Sequence, residues 1–476
     1  MPDIGKLLWP RSVAVIGASS DTKGLRGRIL QIMKGHAFAG PVYPVSRSQA
    51  EVQGLPAFRS VSDLPGPIDL AVLIIPAKFV PEELERCGRI GIPAAVILSS
   101  GFAEETGGLG SSLQDEVRAL AERYDMAVSG PNGEGFANTA AALCPTFSPI
   151  MDAGATPLIP ADRRAGGQVA VISQSGGMGF AIFDRGRPKD LSFRYIVTTG
   201  NEACLETFDF VDYMLDEGKT DVFLLLLEDV KSSATFDRVA AKALRAGRPL
   251  IVSKLGKSEA GSRAVASHTG AHAGSHAEYQ AMFARYGVIE STDLDEMTDT
   301  AAGFIAFGER LPRGKRVGIC TSSGGAGAWI ADACAAAGLE VPPLDAATRA
   351  QIDVHLPSYG TSQNPVDVTA QAVHKMGYAE FARLLASSPL VDGVVMAVTA
   401  GSPRLLLGDR EPLGKLARES AKPIFMWSYT RPAEACVTLL SEAGYPLFTS
   451  ARNCARTIRV MAEYRADRER FIRGQQ

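Results

Sequence analysis

The chain has 476 residues, 46% of them hydrophobic, and its 49 basic and 52 acidic side chains give a formal net charge of −3. This length accommodates about three domains, and the near-neutral balance, with Lys and Arg scattered, excludes the basic field that nucleic acid demands. The longest apolar runs, such as Val222–Leu227, are strand-sized and too short to cross a membrane.

The amino-terminal stretch lacks the apolar core of a signal peptide. Seven cysteines without a Cys-x-x-Cys pair suit a reducing compartment rather than a disulfide framework or zinc ribbon. A soluble cytoplasmic protein is expected. Ser12–Ile16 is a short β-branched run ending in Gly17-Ala18-Ser19-Ser20. A strand, a small-residue turn and a helix open a nucleotide-binding α/β domain. The dinucleotide fingerprint is absent, because Ser19 stands where its second glycine would be. Strands follow at Val42–Val45, Asp69–Ile75 and Ala94–Leu98, each trailed by a turn and a helical stretch. This repeated βαβ pattern is a doubly wound parallel sheet, which binds ligands beyond the carboxyl ends of its strands. Those ends, with the turns after them, offer Gly17, Ala18, Ser19, Lys23, Val45, Ser46, Pro76, Ser99, Ser100 and Asn132 as candidate binding residues.

From about Leu143 to Gly167, prolines at 145, 149, 157 and 160 and weak periodicity mark a boundary or connecting loop. A second α/β domain begins with the strand Gln168–Ile172, which runs into Ser173-Gln174-Ser175-Gly176-Gly177. Such a turn at a helix amino end is a ready anion site, or else a tight turn without a ligand. Glu228 ends the most apolar strand, either as a partner for an imidazole or as an ordinary loop acid. After Pro249–Val252, Lys254, Gly256 and Gly261 are expected to open a flexible basic loop carrying His268 between Ser267 and Thr269. His268, His272 and His276 are three of only six histidines. They could share a helical face as metal ligands, but Gly270 and Gly274 oppose that, at about 1 kcal/mol each, and no carboxylate or cysteine completes a set. They could instead be incidental, or His268 could be a nucleophile that carries a group covalently.

A second boundary is expected near Phe307–Lys315. Beyond it, Arg316–Gly327 echoes Gln168–Gly179, and Lys422–Phe425 echoes Arg248–Ile251, so a second flavodoxin-like domain repeats the first. Its turn contributes Ser323, Gly324 and Gly325 as further anion-binding candidates, and Asn364–Asp367 is a turn ending in a carboxylate. The Arg-rich helix Ala451–Arg473 is expected to be a solvated face.

Taken together, Ser267–Ser275 (SHTGAHAGS), after a strand and a Lys-Leu-Gly turn, resembles the phosphohistidine loop of the NDP-forming acyl-CoA synthetases. That superfamily includes succinyl-CoA synthetase and the ADP-forming acetate–CoA ligases. The resemblance implies a Rossmann-like CoA-binding domain at 1–142, a ligase-CoA domain with the phosphohistidine loop at 155–305, and a second flavodoxin-like ligase domain at 314–470. It implies an α-type subunit that interconverts acyl-CoA, ADP and phosphate with a small carboxylic acid, CoA and ATP. His268 would carry the phosphoryl group, Glu228 would hold His268, and the two Ser/Gly turns would neutralise the phosphate. CoA would lie on the strand ends of the first domain. No ATP-grasp loop is apparent, so ATP/ADP and Mg would belong to a separate ATP-grasp β subunit in a hetero-oligomer. Two departures stand out: Ser46-Arg47 replaces the usual Asn-Pro, and Gly133 replaces the usual Cys after Gly-Pro-Asn. The alternative is a non-catalytic CoA- or acyl-CoA-binding regulatory protein of the same descent.

Overall fold

A computed structural model describes residues 2–105, 108–152, 167–269 and 275–474, except for the side chains of His268 and Thr269. The chain forms two compact units. The first comprises Met1–Asp184, Ser192–Ala243 and Val252–Arg285, and the second Arg185–Leu191, Leu244–Ile251 and Tyr286–Gln476.

The first unit opens with strands β1 (Val13–Ile16), β2 (Val42–Val45), β3 (Leu70–Leu73), β4 (Ala94–Ile97) and β5 (Ala127–Ser129). They pair in parallel in the order β2-β1-β3-β4-β5. Strands β1, β3 and β4 are apolar and buried at every residue, as a sheet covered on both faces requires. The helix Val80–Arg89 shows how the cover forms. Val80, Leu84 and Cys87 fall on one buried stripe, while Glu85 and Arg89 pair on the wet side at 2.8 Å.

The second sheet uses β6 (Phe136–Asn138), β7 (Gln168–Ser173), β8 (Ser192–Thr198), β9 (Val222–Leu227) and β10 (Leu250–Lys254), in the order β6-β8-β7-β9-β10. β7 is parallel to β8 and β9, whereas β6 runs antiparallel to β8. The described part of the expected connecting loop is well packed: Leu143, Cys144, Thr146 and Met151 are fully buried.

In the second unit, β11 (Val317–Thr321), β12 (Val366–Asp367), β13 (Gly393–Val398), β14 (Ile424–Ser428) and β15 (Leu447–Phe448) form a third parallel sheet, in the order β12-β11-β13-β14-β15. The α/β class, with a Rossmann-like sheet followed by two flavodoxin-like ones, is as expected. The Arg-rich helix is not a solvated face. Over Ala451–Arg473 it buries Cys454, Ala455, Ile458, Met461 and Ala462 and packs on helices Leu294–Phe307 and Gly324–Ala336. Arg456 donates across that packing to the buried Glu296 (2.5 Å), and Arg459 pairs along the helix with Glu463 (2.8 Å). All seven cysteines are free thiols. Among the described residues no helix is long and apolar enough to cross a membrane.

Candidate functional site

At the carboxyl edge of the first sheet the chain turns at Gly17 with φ +93°, where a Cβ would lie 2.5 Å from the carbonyl oxygen of Ile74. Only glycine fits that combination. The Gly17 N–H donates to the Val45 carbonyl (3.0 Å), which keeps the ends of β1 and β2 level. Gly17, Val45 and Pro76 line a crevice of about 180 Å3 together with Arg26, Arg47, Arg59 and Phe79. Sequence reasoning missed these last four, although Arg26 lies within the helix that follows the Gly17 turn and Arg47 two residues past β2. Arg26 Nε donates to the Gly17 carbonyl (2.6 Å), Arg47 to Glu83 (2.6 Å) and Arg59 to the Arg47 carbonyl (3.2 Å). Three guanidinium groups around a small-residue turn suit phosphate oxygens.

The other candidates at this edge frame the crevice rather than line it. Ser46 is buried, and its N–H donates to the Phe58 carbonyl (2.8 Å). The Ser99 hydroxyl accepts from the Ile75 N–H (3.2 Å). Asn132, at φ +61°, donates its N–H to the Ser99 carbonyl (2.9 Å) and its amide to Asn201 (3.1 Å). Beyond Gly17, the Ser19 hydroxyl accepts from the Asp21 N–H (3.1 Å), and the Lys23 N–H donates to Asp21 (3.0 Å). Ala18 is buried and Ser100 exposed. A larger cavity of about 890 Å3 in the same unit is lined by none of the candidates. Asp3, Glu122, Asp125 and Glu206 there outweigh Arg118 and Lys231, so it disfavours a phosphate-bearing ligand.

On the second sheet, β7 ends in Ser173 and the helix Gly176–Gly186 begins three residues later. The turn is cross-braced: the Ser173 hydroxyl donates to the Ser175 carbonyl (2.6 Å) and accepts from the Ser175 N–H (3.1 Å). Gln174 does not present its side chain to a ligand. Its Nε2 donates to Glu202 (2.9 Å) and the Asp229 carbonyl (3.0 Å), while its Oε1 accepts from the N–H groups of Glu228 (2.5 Å) and Asp229 (3.0 Å). The amide therefore locks the end of β9, and with it Glu228, to the end of β7. Glu228 follows β9 directly and is 7% exposed.

Lys254, expected to open a basic loop, is the buried last residue of β10. Its ammonium donates to the carbonyls of Glu228 (2.8 Å) and Leu255 (2.6 Å) and lies 4.4 Å from the Tyr279 ring centroid. Tyr279 in turn donates to Asp229 (2.8 Å) and accepts from the Val230 N–H (3.2 Å). Burial, reinforced by Asp229, pushes the Tyr279 phenol up. The expected flexible loop is also a helix over Glu259–Thr269, with His268 its penultimate residue. His272, Gly270 and Gly274 lie outside the described residues, as does the His268 side chain, and His276 opens the helix His276–Ala284. Among the described residues no three His, Cys, Asp or Glu side chains stand together as a metal site.

The second unit repeats the braced turn. The Thr321 hydroxyl donates to the Ser323 carbonyl and accepts from the Ser323 N–H, both at 3.0 Å, before the helix Gly324–Ala336. Asp367, on the neighbouring strand β12, stands beside this turn, with Oδ2 3.1 Å from where a Gly324 Cβ would be. Gly325 is open.

Three family models match the chain: a CoA binding domain over residues 11–139, a succinyl-CoA ligase like flavodoxin domain over 166–304 and a ligase-CoA domain over 317–401. The chain is 35% identical over 468 residues to the acetate–CoA ligase (ADP-forming) II subunit alpha of Pyrococcus furiosus, covering 93% of this chain and 97% of that one. It is 32% identical over 459 residues to acetate–CoA ligase (ADP-forming) I of Archaeoglobus fulgidus, covering 96% of this chain but 63% of that longer protein. Among solved structures, the dinucleotide forming acetyl-coenzyme A synthetase 1 of Ca. Korarchaeum cryptofilum, in complex with phosphate and ADP, matches with a TM-score of 0.85 at 28% identity, covering 100% of both chains.

Proposed function

Because the chain belongs to the family of ADP-forming acetate–CoA ligases, we infer that it is the α-type subunit of an acyl-CoA synthetase. The enzyme interconverts acyl-CoA, ADP and phosphate with a carboxylic acid, CoA and ATP. The observation that carries the site assignment is the Gln174 lock, which joins an anion-suited helix end to a buried carboxylate at the adjacent strand end. That is the equipment phosphoryl transfer needs: a positive partial charge for the phosphoryl oxygens and a fixed acceptor for a ring N–H.

In the proposed cycle one nitrogen of the neutral His268 imidazole attacks the phosphorus of an acyl phosphate. The N–P bond forms as the P–O bond to the acyl group breaks, and the carboxylate leaves. Glu228 accepts the other ring N–H, which fixes the tautomer and stabilises the charge that grows on the ring. The N–H groups at Gly176–Gly177 hold the phosphoryl oxygens, an effect of about 0.3–1 kcal/mol per charge at an exposed helix end and up to about 2 kcal/mol when partly buried. Phosphohistidine then gives its phosphoryl group to ADP. CoA, when bound, supplies the thiol that carries the acyl group, and Arg26, Arg47 and Arg59 around Gly17 fit its phosphates.

ADP and Mg belong, in this proposal, to a separate ATP-grasp β subunit. Two facts support a partner: the relative matched end to end is named an alpha subunit, and the longer relative has further length that this chain does not span. The ligase names of the relatives favour catalysis over a purely CoA-binding role. Labelling with acetyl [32P]phosphate tests the reading. Acid-labile, base-stable label on His268 is expected, and none in His268→Ala. Wild-type protein that takes up no label would overturn it.

A further inference from the structure

Beside the first residues of the helix Gly176–Gly186 stands a carboxyl group with no part in the transfer just described. Glu134 lies between β5 and β6, and its backbone is held on both sides. Its N–H donates to the Thr198 hydroxyl (2.8 Å), and its carbonyl accepts from the Thr146 hydroxyl (2.5 Å). The side chain is thereby aimed at the helix end. A Cβ on Gly176 would lie 2.9 Å from Glu134 Cβ and 3.6 Å from Oε2, and one on Gly177 would lie 3.8 Å from Oε2. The glycines make room for the carboxyl group. Glu134 is 9% exposed, and its Oε2 is buried without a hydrogen-bond partner.

An ionised carboxylate ordinarily fills its acceptor sites when buried. Here one oxygen stands unspent at the place where helix N–H groups attract an anion. The groups acting on Glu134 are few: the Ser148 hydroxyl and the charge of Arg28 from the helix Leu25–Gly35. Gly176 and Gly177 bring no side chain. Burial pushes the carboxyl up, against the smaller opposing pulls of Ser148 and Arg28. A phosphoryl dianion at this helix end would be repelled by ionised Glu134 and attracted by its protonated form, which offers Oε2–H as a donor.

We propose that the Gly176–Gly177 helix end binds its anion together with one proton, held between Glu134 Oε2 and an anion oxygen. This rests on reading the turn as a phosphoryl site. The step makes and breaks no covalent bond between heavy atoms. A solvent proton joins the carboxylate as the anion enters and returns to solvent as the anion leaves. Glu134 is a positioning residue in this account. Because the complex holds one more proton than the free site, affinity is constant below the midpoint of the free carboxyl. Above it, affinity falls about tenfold per pH unit.

Sulfate is the probe, since it stays dianionic throughout the working range and any proton taken up belongs to the protein. Calorimetry in two buffers of different ionisation enthalpy counts that proton, and inhibition of acetyl phosphate labelling by sulfate ties the binding to this site. At pH above the midpoint of the free carboxyl, where all of these measurements are made, wild-type protein should take up about one proton per sulfate bound. Glu134→Gln should bind sulfate at least as tightly, with no uptake and a flat pH profile. A merely structural Glu134 would weaken binding on substitution but leave the slope in place. If the variant does not fold, infrared difference spectra of wild-type protein replace it, and sulfate must bring up a protonated-carboxyl stretch. Uptake that persists in Glu134→Gln, or sulfate binding without uptake or without that stretch, overturns the proposal while leaving His268 labelling intact. If sulfate neither binds nor inhibits labelling, the turn is not an anion site and the proposal falls with it.

Discussion

Replacing Gln174 by Ala removes four hydrogen bonds at once and orphans the N–H groups of Glu228 and Asp229, the Asp229 carbonyl and Glu202 Oε2. Each buried group left unsatisfied costs about 1–3 kcal/mol. Water entering the vacated amide site recovers part of that, so the expected net loss is roughly 3–4 kcal/mol on the scale of these terms. At about 2–4 °C per kcal/mol for a large domain, the melting point should fall by about 6–16 °C. Gln174→Glu keeps the shape and both acceptor contacts but turns the two donor contacts into repulsions, one against Glu202 at 2.9 Å. It should be at least as unstable as the alanine variant near neutral pH and should recover in part in acid, when the new carboxyl protonates and its one O–H restores one of the two donor contacts. Urea titration gives the stability, and acetyl phosphate labelling gives the function, because Glu228 loses the anchor of its own N–H. An alanine variant within about 1 kcal/mol of wild type that labels at the wild-type rate would refute the claim that Gln174 holds the site together.

Glu228→Gln should slow labelling by roughly 10- to 1000-fold, the range for losing an acid–base or orienting partner, whereas His272→Ala and His276→Ala should label almost normally. Gly17→Ala puts a Cβ 2.5 Å from the Ile74 carbonyl in a left-handed backbone, so CoA binding by calorimetry should be lost, along with about 1–3 kcal/mol of stability. Arg47→Ala should weaken CoA by about tenfold, the loss of roughly one charge-assisted contact, and reduce the salt dependence of binding. In the second unit, the Thr348 hydroxyl and N–H, then Ser388, hold the Asp345 carboxyl down at about 2. A carboxyl lowered in the folded state stabilises above its unfolded value and loses that contribution as pH falls through the folded value. Unfolding followed by circular dichroism should therefore steepen between the ordinary carboxylate range and about 2, less so in Asp345→Asn.

The sheets were legible because their strands are near-continuous apolar runs, and the repeat was legible down to its hydrogen bonds. The brace of Ser173 on Ser175 recurs as that of Thr321 on Ser323. What misled was composition read without periodicity. Arginines along Ala451–Arg473 suggested a solvated helix, yet Ala451, Cys454, Ala455, Ile458, Met461 and Ala462 recur at helical spacing and bury a stripe that charge counting does not register. Glycines around His268 suggested a loop, but one interior glycine costs only about 1 kcal/mol, and Ala260, Ala264 and Ala266 with the Glu259–Arg263 pair carry the helix through Thr269. Lys254 looked like a loop cation because its partners, two carbonyls and a ring 25 residues on, are set by tertiary packing that no local pattern encodes.

The same blindness to packing explains why the chain's departures from its family pattern could not be weighed from sequence. Gly133, where the family resemblance leads to Cys, stood out as a departure. A Cβ there would lie 2.9 Å from the Thr198 carbonyl, so in this chain the position is filled by backbone. The adjacent residue is bound to the same threonine, with the Glu134 N–H donating to its hydroxyl. Close approach at Gly133 and the aim of Glu134 at Gly176 are thus two results of one contact between the Gly130–Gly135 turn and β8. A side chain restored at 133 has to push that turn off β8, and Glu134 moves with it. Gly133→Cys should then loosen the Glu134 carboxyl from the helix end and flatten the pH dependence of anion binding without touching either glycine there. If Gly133→Cys binds sulfate with the wild-type slope, the two positions are independent and the coupling argued from Thr198 is wrong.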